Sequence, residues 1–158
     1  MTETTLPTDT SAPVTAPPAQ VWPTLRATNA RGLIAFLVEV FGFIEVVTYG
    51  DQPDGSGEHV MHAQLAWPEG GGIMLGSART ADDGHPADPW ELSPGSFGAY
   101  VVTADPVAVH ARAVAAGATI TEGVHETDYG STDFAARDPE GNRWSFGTYA
   151  GEPVPRSG

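Results

Sequence analysis

Five histidines supply the chain's capacity for acid–base work near neutral pH: His59, His62, His85, His110 and His125. His59 and His62 lie three apart in "EHVMHAQLAW", a segment with strand character. Residues three apart on a strand point to opposite faces, so these two cannot share an ion. His62 shares a face with Gln64 and Val60. On a cleft-lining strand His62 would be the best-placed general base, and otherwise it is a hydrogen-bonding structural residue. His85 sits in an acidic loop with Asp82, Asp83 and Asp88, and His110 falls on the surface of a helix. His125, Glu126, Asp128 and Tyr129 form a polar group that reads as a loop before the last hairpin. The chain has no cysteine and no lysine, which excludes thiolate chemistry, disulfides and Schiff bases. It carries no nucleophile–base motif, phosphate loop or dinucleotide glycine pattern.

Aromatic and arginine side chains are the second source of chemistry. Alternation along strands puts Trp22, Thr24 and Arg26 on one face, Met74 with Gly76, and Arg143 with Ser145 and Gly147. Trp144 and Phe146 then point to the opposite side and belong to the core. Trp22 and Met74 offer apolar surface on which a flat ligand can stack. Arg26 and Arg143 can orient a carboxylate or carbonyl, or else form ion pairs at a rim. Trp90, in a long loop, is placed to fold over a cleft mouth or to anchor the loop.

Composition narrows the partners. Twenty acidic residues against seven arginines give a formal charge of −13. No basic patch is available to offset phosphates, so nucleic-acid binding is not expected. An acidic field favours cationic ligands over anionic ones, or serves solubility alone. No apolar run reaches the about 18–20 residues of a membrane span, and no secretory signal pattern opens the chain, so a cytoplasmic protein without a membrane partner is expected.

The elements that position these residues come in two similar sets. Residues 1–20, rich in Thr, Pro and Ala, read as a disordered tail, and 151–158 as a flexible one. Between them, 21–150 forms one folded domain. Strand-like "VWPTLRA" precedes a helix capped by Asn29 and stopped by Gly42, with Leu33, Phe36, Leu37, Val40 and Phe41 on its apolar face. Strands at 44–49, 58–67 and 72–77 follow. The second set has a strand at 97–103 and a helix capped by Asp105 with Pro106 at its first position. A short strand at 119–123 and a hairpin, 131–137 and 142–149, complete it. Pro139 and Gly141 suit a type I turn. The order β-α-β-β-β occurs twice, in modules of about 21–77 and 97–149. The fold class is α+β: two βαβββ modules forming a curved mixed sheet around a cleft, with the helices outside.

"TLRATNARGLIAFLVEVFGF" in the first half and "DYGSTDFAARDPEGNRWSFGTY" in the second resemble the vicinal oxygen chelate superfamily of glyoxalases, extradiol dioxygenases and bleomycin-resistance proteins. "HAQL", "GIMLGS" and "HARAVAAGA" agree with it. The resemblance covers about residues 21–149, and "DPEGN-x-W" is its most specific part. It implies a divalent metal held by His, Gln or Glu from the first and last strands of each module. Counted from the nearby turns, those positions fall at Trp22, Met74, Ala99 and Ser145. A register error of one does not supply a carboxylate or imidazole. Trp and Ala cannot coordinate such an ion, Met is soft, and Ser is weak. The expectation is therefore a protein with no metal and no cofactor, binding an aromatic or cationic, antibiotic-like small molecule, as a homodimer. Its ligand-facing residues would be Trp22, Thr24, Arg26, His62, Gln64, Met74, Trp90, Ala99, Arg143 and Ser145. The alternative is a lyase, isomerase or oxygenase using a non-standard metal set or His62 as base.

Overall fold

A computed structural model describes residues 21–80, 84, 86 and 88–155. The expected N-terminal tail, His85, Asp82 and Asp83 lie outside the described residues. The first module contains β1 (Thr24–Ala27), α1 (Ala30–Phe36), a π-helical turn (Leu37–Phe41), β2 (Ile44–Gly50), β3 (Val60–Ala66) and β4 (Gly72–Ser77). The second contains β5 (Gly98–Val102), α2 (Pro106–Ala115), β6 (Thr119–Glu126), β7 (Thr132–Arg137) and β8 (Arg143–Gly147). Each module makes one four-stranded mixed sheet, in the orders β1-β4-β3-β2 and β5-β8-β7-β6. The chain is thus α+β, with two βαβββ modules and no closed barrel. The two sheets are not hydrogen-bonded into one.

Local chemistry sets the helix ends. The Asn29 side chain accepts from the Gly32 N–H at 3.0 Å, and Asp105 from the Ala108 N–H at 3.0 Å. The first helix departs from its expected regularity. Gly42 and Phe43 both donate their N–H to the Leu37 carbonyl at 3.0 Å, which closes a π turn. Gly42 ends it at φ 96°, a conformation open to glycine at little cost. The inserted residue turns Leu37, Val40 and Phe41 inward with Leu33 and Ile34, while Phe36 stays half-buried and meets Phe41 edge-on at 5.0 Å.

The modules join through an aromatic core on the helix side of both sheets. Phe41 meets Trp144 at 5.8 Å and Phe146 at 4.8 Å. Phe43 lies 5.5 Å from Trp144 and 5.0 Å from Trp67. Such pairs contribute about 0.5–1.5 kcal/mol each beyond their burial. Polar ties frame the core. Arg112 of α2 donates to the Val40 and Phe41 carbonyls at 3.2 and 3.1 Å, and so caps the π turn. Trp67 Nε1 donates to the Val102 carbonyl at 2.8 Å.

Each sheet ends on two edge strands, β1 and β2 in the first and β5 and β6 in the second. Met74 and Ala78 donate to the Pro23 and Ala27 carbonyls. Alternate residues of a parallel strand bond to the same neighbour, so Thr24 and Arg26 direct their backbone groups away from β4. In β5, Phe97 and Thr103 bond to β8, so Gly98, Tyr100 and Val102 direct theirs outward, where the Val102 carbonyl is already taken by Trp67 Nε1.

The "DPEGN-x-W" hairpin is organised by one buried carboxylate. Asp138 Oδ1 accepts from the Glu140 and Asn142 N–H groups at 2.9 and 3.0 Å. Its Oδ2 accepts from Asn142 Nδ2 and Trp144 Nε1, both at 2.8 Å. The Gly141 N–H closes the turn on the Asp138 carbonyl at 3.0 Å. Replacing Asp138 by Ala leaves four buried or half-buried donors without this acceptor. It is expected to destabilise the protein by about 2–4 kcal/mol. Urea unfolding followed by tryptophan fluorescence measures this; a loss under about 1 kcal/mol would show that the carboxylate is dispensable.

Candidate functional site

Sheet pairing sets out the first module's open face as a grid. Thr24 pairs with Met74, and Met74 with Gln64. Arg26 pairs with Gly76, and His62 with Tyr49. Trp22 stands beside Gly72, close enough that a Cβ there would lie 2.8 Å from its ring. Leu25 and Ala27 point the other way, into the core.

A cavity of about 330 Å³ opens over this face, lined by Thr24, Arg26, His62, Met74 and the 88–92 segment. The Arg26 guanidinium reaches over Gly76; a Cβ there would come within 2.4 Å of Nη1. Arg26 Nε contacts Glu91 Oε1 in an ion pair whose side chains are 27% and 13% exposed. Arg79 approaches the same carboxylate at 3.9 Å. Trp90 stands beside Glu91 and is 91% exposed. His62 stacks against Tyr49 with ring centroids 6.5 Å apart. No hydrogen bond to either of its ring nitrogens is found among the described residues.

The second module presents a separate face. Tyr100 pairs with Ser145, and Gly98 with Arg143. Arg143 approaches Glu122 at 3.7 Å, both well exposed. Ala99 departs from expectation. It pairs with Trp144 and so lies on the helix side, where it lines a smaller cavity of about 210 Å³ with Phe43, Trp67 and Ile73. The outward position of β5 is Tyr100. His125 and Glu126 also differ from their loop reading, because β6 runs on through Glu126. His110, on α2, packs edge-on against Phe134 at 5.2 Å.

The structure thus brings Thr24, Arg26, His62, Met74 and Trp90 together at one cavity. Gln64 lies in the adjoining row and Trp22 at its end. Arg143 and Ser145 share the other module's face with Tyr100. Sequence reasoning missed Glu91, Met61 and Leu92, which reach the cavity from the loop and the start of β3. The only signal was the position of Glu91 beside Trp90 in "DPWEL".

A tyrosine group borders the second face. Tyr129 meets Tyr149 edge-on at 5.6 Å, and the Tyr149 N–H donates to the Tyr100 hydroxyl at 3.1 Å. The Tyr149 hydroxyl donates to Glu152 at 3.1 Å. That bond, followed by burial and the neighbouring Tyr129 and Tyr100, raises the Tyr149 pKa above the ordinary phenol value.

A family model described as the glyoxalase/bleomycin resistance protein/dioxygenase superfamily matches residues 19–146. The chain belongs to this superfamily. Its fold is similar to that of TioX from Micromonospora sp. ML1, with 26% identity, a TM-score of 0.63, and coverage of 82% of this chain and 97% of that one. TnmS3, an antibiotic binding protein from Streptomyces sp. CB03234, gives 24% identity, a TM-score of 0.56, and coverage of 78% and 88%. FosX, a fosfomycin resistance protein from Listeria monocytogenes complexed with Mn(II) and sulfate, gives 12%, 0.53, and 84% and 93%. No curated protein sequence matches the chain. Of the positions expected from the resemblance, Met74 and Ser145 lie on the open faces, in register with Thr24 and Tyr100, and Ala99 lies on the helix side. No group of three His, Asp or Glu able to hold a metal occurs among the described residues.

In an alkaline titration read by tyrosinate absorbance, Tyr149 is expected to ionise above the ordinary phenol range. Glu152→Gln should lower its ionisation toward the ordinary phenol value; an unchanged curve would mean the Glu152 bond is not formed in solution.

Proposed function

We propose that this protein binds an aromatic or cationic, antibiotic-like small molecule without metal and without turning it over, as bleomycin-resistance-type members of the superfamily do. What supports the reading is the chemistry at the four positions that the resemblance assigns to metal ligands, Trp22, Met74, Ala99 and Ser145, where apolar, aromatic and weakly polar side chains stand in place of carboxylates and imidazoles. The first module's face offers Met74, Trp90 and Leu92 as stacking surface with Thr24, Gln64 and Arg26 as polar points. This agrees with the usual make-up of small-molecule sites. The likeness to TnmS3, itself an antibiotic binding protein, is in keeping with it.

The same reading includes a homodimer. Each chain keeps one face of each sheet open, and the free edges of β1 and β5 flank those faces. Pairing β1 of one chain with β5 of another would satisfy outward backbone groups and set the two faces opposite each other. The ligand-facing residues would then be Trp22, Thr24, Arg26, His62, Gln64, Met74 and Trp90 from one copy, with Tyr100, Arg143 and Ser145 from its partner.

Four measurements test the reading. Titration with bleomycin and with doxorubicin, a planar aromatic cation, should quench tryptophan fluorescence saturably for at least one of them. The ligand should be recovered unchanged by mass spectrometry; a converted product would mark an enzyme. Untagged protein equilibrated with Zn(II), Ni(II), Fe(II), Mn(II) or Mg(II) and then desalted should retain far less than one ion per chain. Stoichiometric metal would overturn the metal-free reading. Sedimentation velocity at micromolar concentration should give a dimer, and a monomer throughout would remove the shared cleft.

A further inference from the structure

We infer that Arg26 is an anion-recognition point occupied in the free protein by Glu91, and that the ligand carries a carboxylate, or an equivalent planar acidic group, that displaces it. This rests on the ligand-binding reading above and names the chemistry at one end of the same cavity.

The two halves of the ion pair are held differently. Arg26 sits on β1, in register with β4, and its guanidinium reaches over Gly76, whose lack of a side chain leaves room for it. It is preorganised by the sheet. Glu91 is carried by the loop between the modules. The Glu91 N–H bonds to the Asp88 carbonyl at 3.1 Å, and the Trp90 N–H to Asp88 Oδ1 at 2.9 Å. Both bonds stay within the loop. Among the described residues, its ion pairs with the rest of the module are those of the Glu91 carboxylate, on Arg26 and Arg79, whose N–H also reaches that carboxylate.

The pairing is also imperfect. Glu91 Oε1 lies close to Arg26 Nε yet is buried without a well-directed hydrogen bond. A half-satisfied buried carboxylate is costly, and a better-aligned acid can replace it. A carboxylate entering from the cavity can take two N–H groups along one edge of the guanidinium, the favoured fork geometry. A cation, by contrast, would have to displace Arg26, the half that the sheet holds. Trp90 and Leu92, 91% and 56% exposed, flank Glu91 and are placed to cover an aromatic body once the carboxylate has moved aside.

The test is calorimetric titration of the full chain with 2-naphthoate, its neutral isostere 2-naphthamide, and 2-naphthylmethylammonium. Wild type, Glu91→Gln and Arg26→Met are compared. Removing the internal competitor should raise the naphthoate-to-naphthamide affinity ratio about tenfold in Glu91→Gln, as expected when the competent state is about a tenth populated. Arg26→Met should bring that ratio close to one. Equal ratios in all three proteins would overturn this inference and leave the binding reading standing, provided naphthamide binds. A weaker naphthoate in Glu91→Gln would make Glu91 a structural support and also overturn it. Tighter binding of the ammonium than of naphthoate in wild type would make Glu91 the recognition group, with the same effect. No binding of any probe, together with no quenching by bleomycin or doxorubicin, would sink both readings.

Discussion

The bond from Trp144 to Asp138 underlies much of what the molecule does. Trp144 is fully buried at the centre of the core that joins the modules, and it touches Phe41, Phe43 and Phe97. An indole N–H in such a place needs an acceptor. Asp138 supplies it, and the same carboxylate closes the turn that starts β8. One charged group therefore sets the ring's orientation and the strand's entry point together. The side of each sheet that meets the helices is committed to this core. The opposite sides stay open and carry the residues available to a ligand.

The superfamily's two-module architecture is kept. Trp22 beside Gly72 and Met74 beside Thr24 make apolar surface on the first module's open face. Where charge remains on the first face, at Arg26, it is met by a carboxylate from the chain itself. The acidic balance of the whole chain makes such an arginine more noticeable, because its local field opposes the general one.

Much of this was legible in the sequence. Polar caps at Asn29 and Asp105, glycine stops and period-2 strands fix the order of elements. The Asp-Pro-Glu-Gly turn fixes the last hairpin. Facing was readable where apolar and polar residues alternate, as in "TLRA" and "RWSFG". It failed at "GAYV", because Ala and Tyr fit either side of a sheet and only the pairing of Tyr100 with Ser145 decides the matter. The polar run through His125 and Glu126 read as loop, yet an exposed edge strand tolerates the same residues. The contact of Glu91 with Arg26 joins distant parts of the chain, and no periodicity announces it. The π turn was hidden for a related reason: apolar spacing alone does not distinguish a regular helix from one with an inserted residue.

That inserted residue makes the joint between the modules sensitive to chain length. Successive helical residues are about 100° apart around the axis, so removing one position between Leu37 and Phe41 would swing Phe41 away from Trp144 and Phe146. It would also move the carbonyls that Arg112 caps. A substitution at Glu39, on the solvent side, leaves the count intact. Homologous sequences sharing this joint should therefore conserve the spacing from Asn29 to Gly42 more strictly than the identity of the residues between, and an alignment that places a gap there has misassigned the helix.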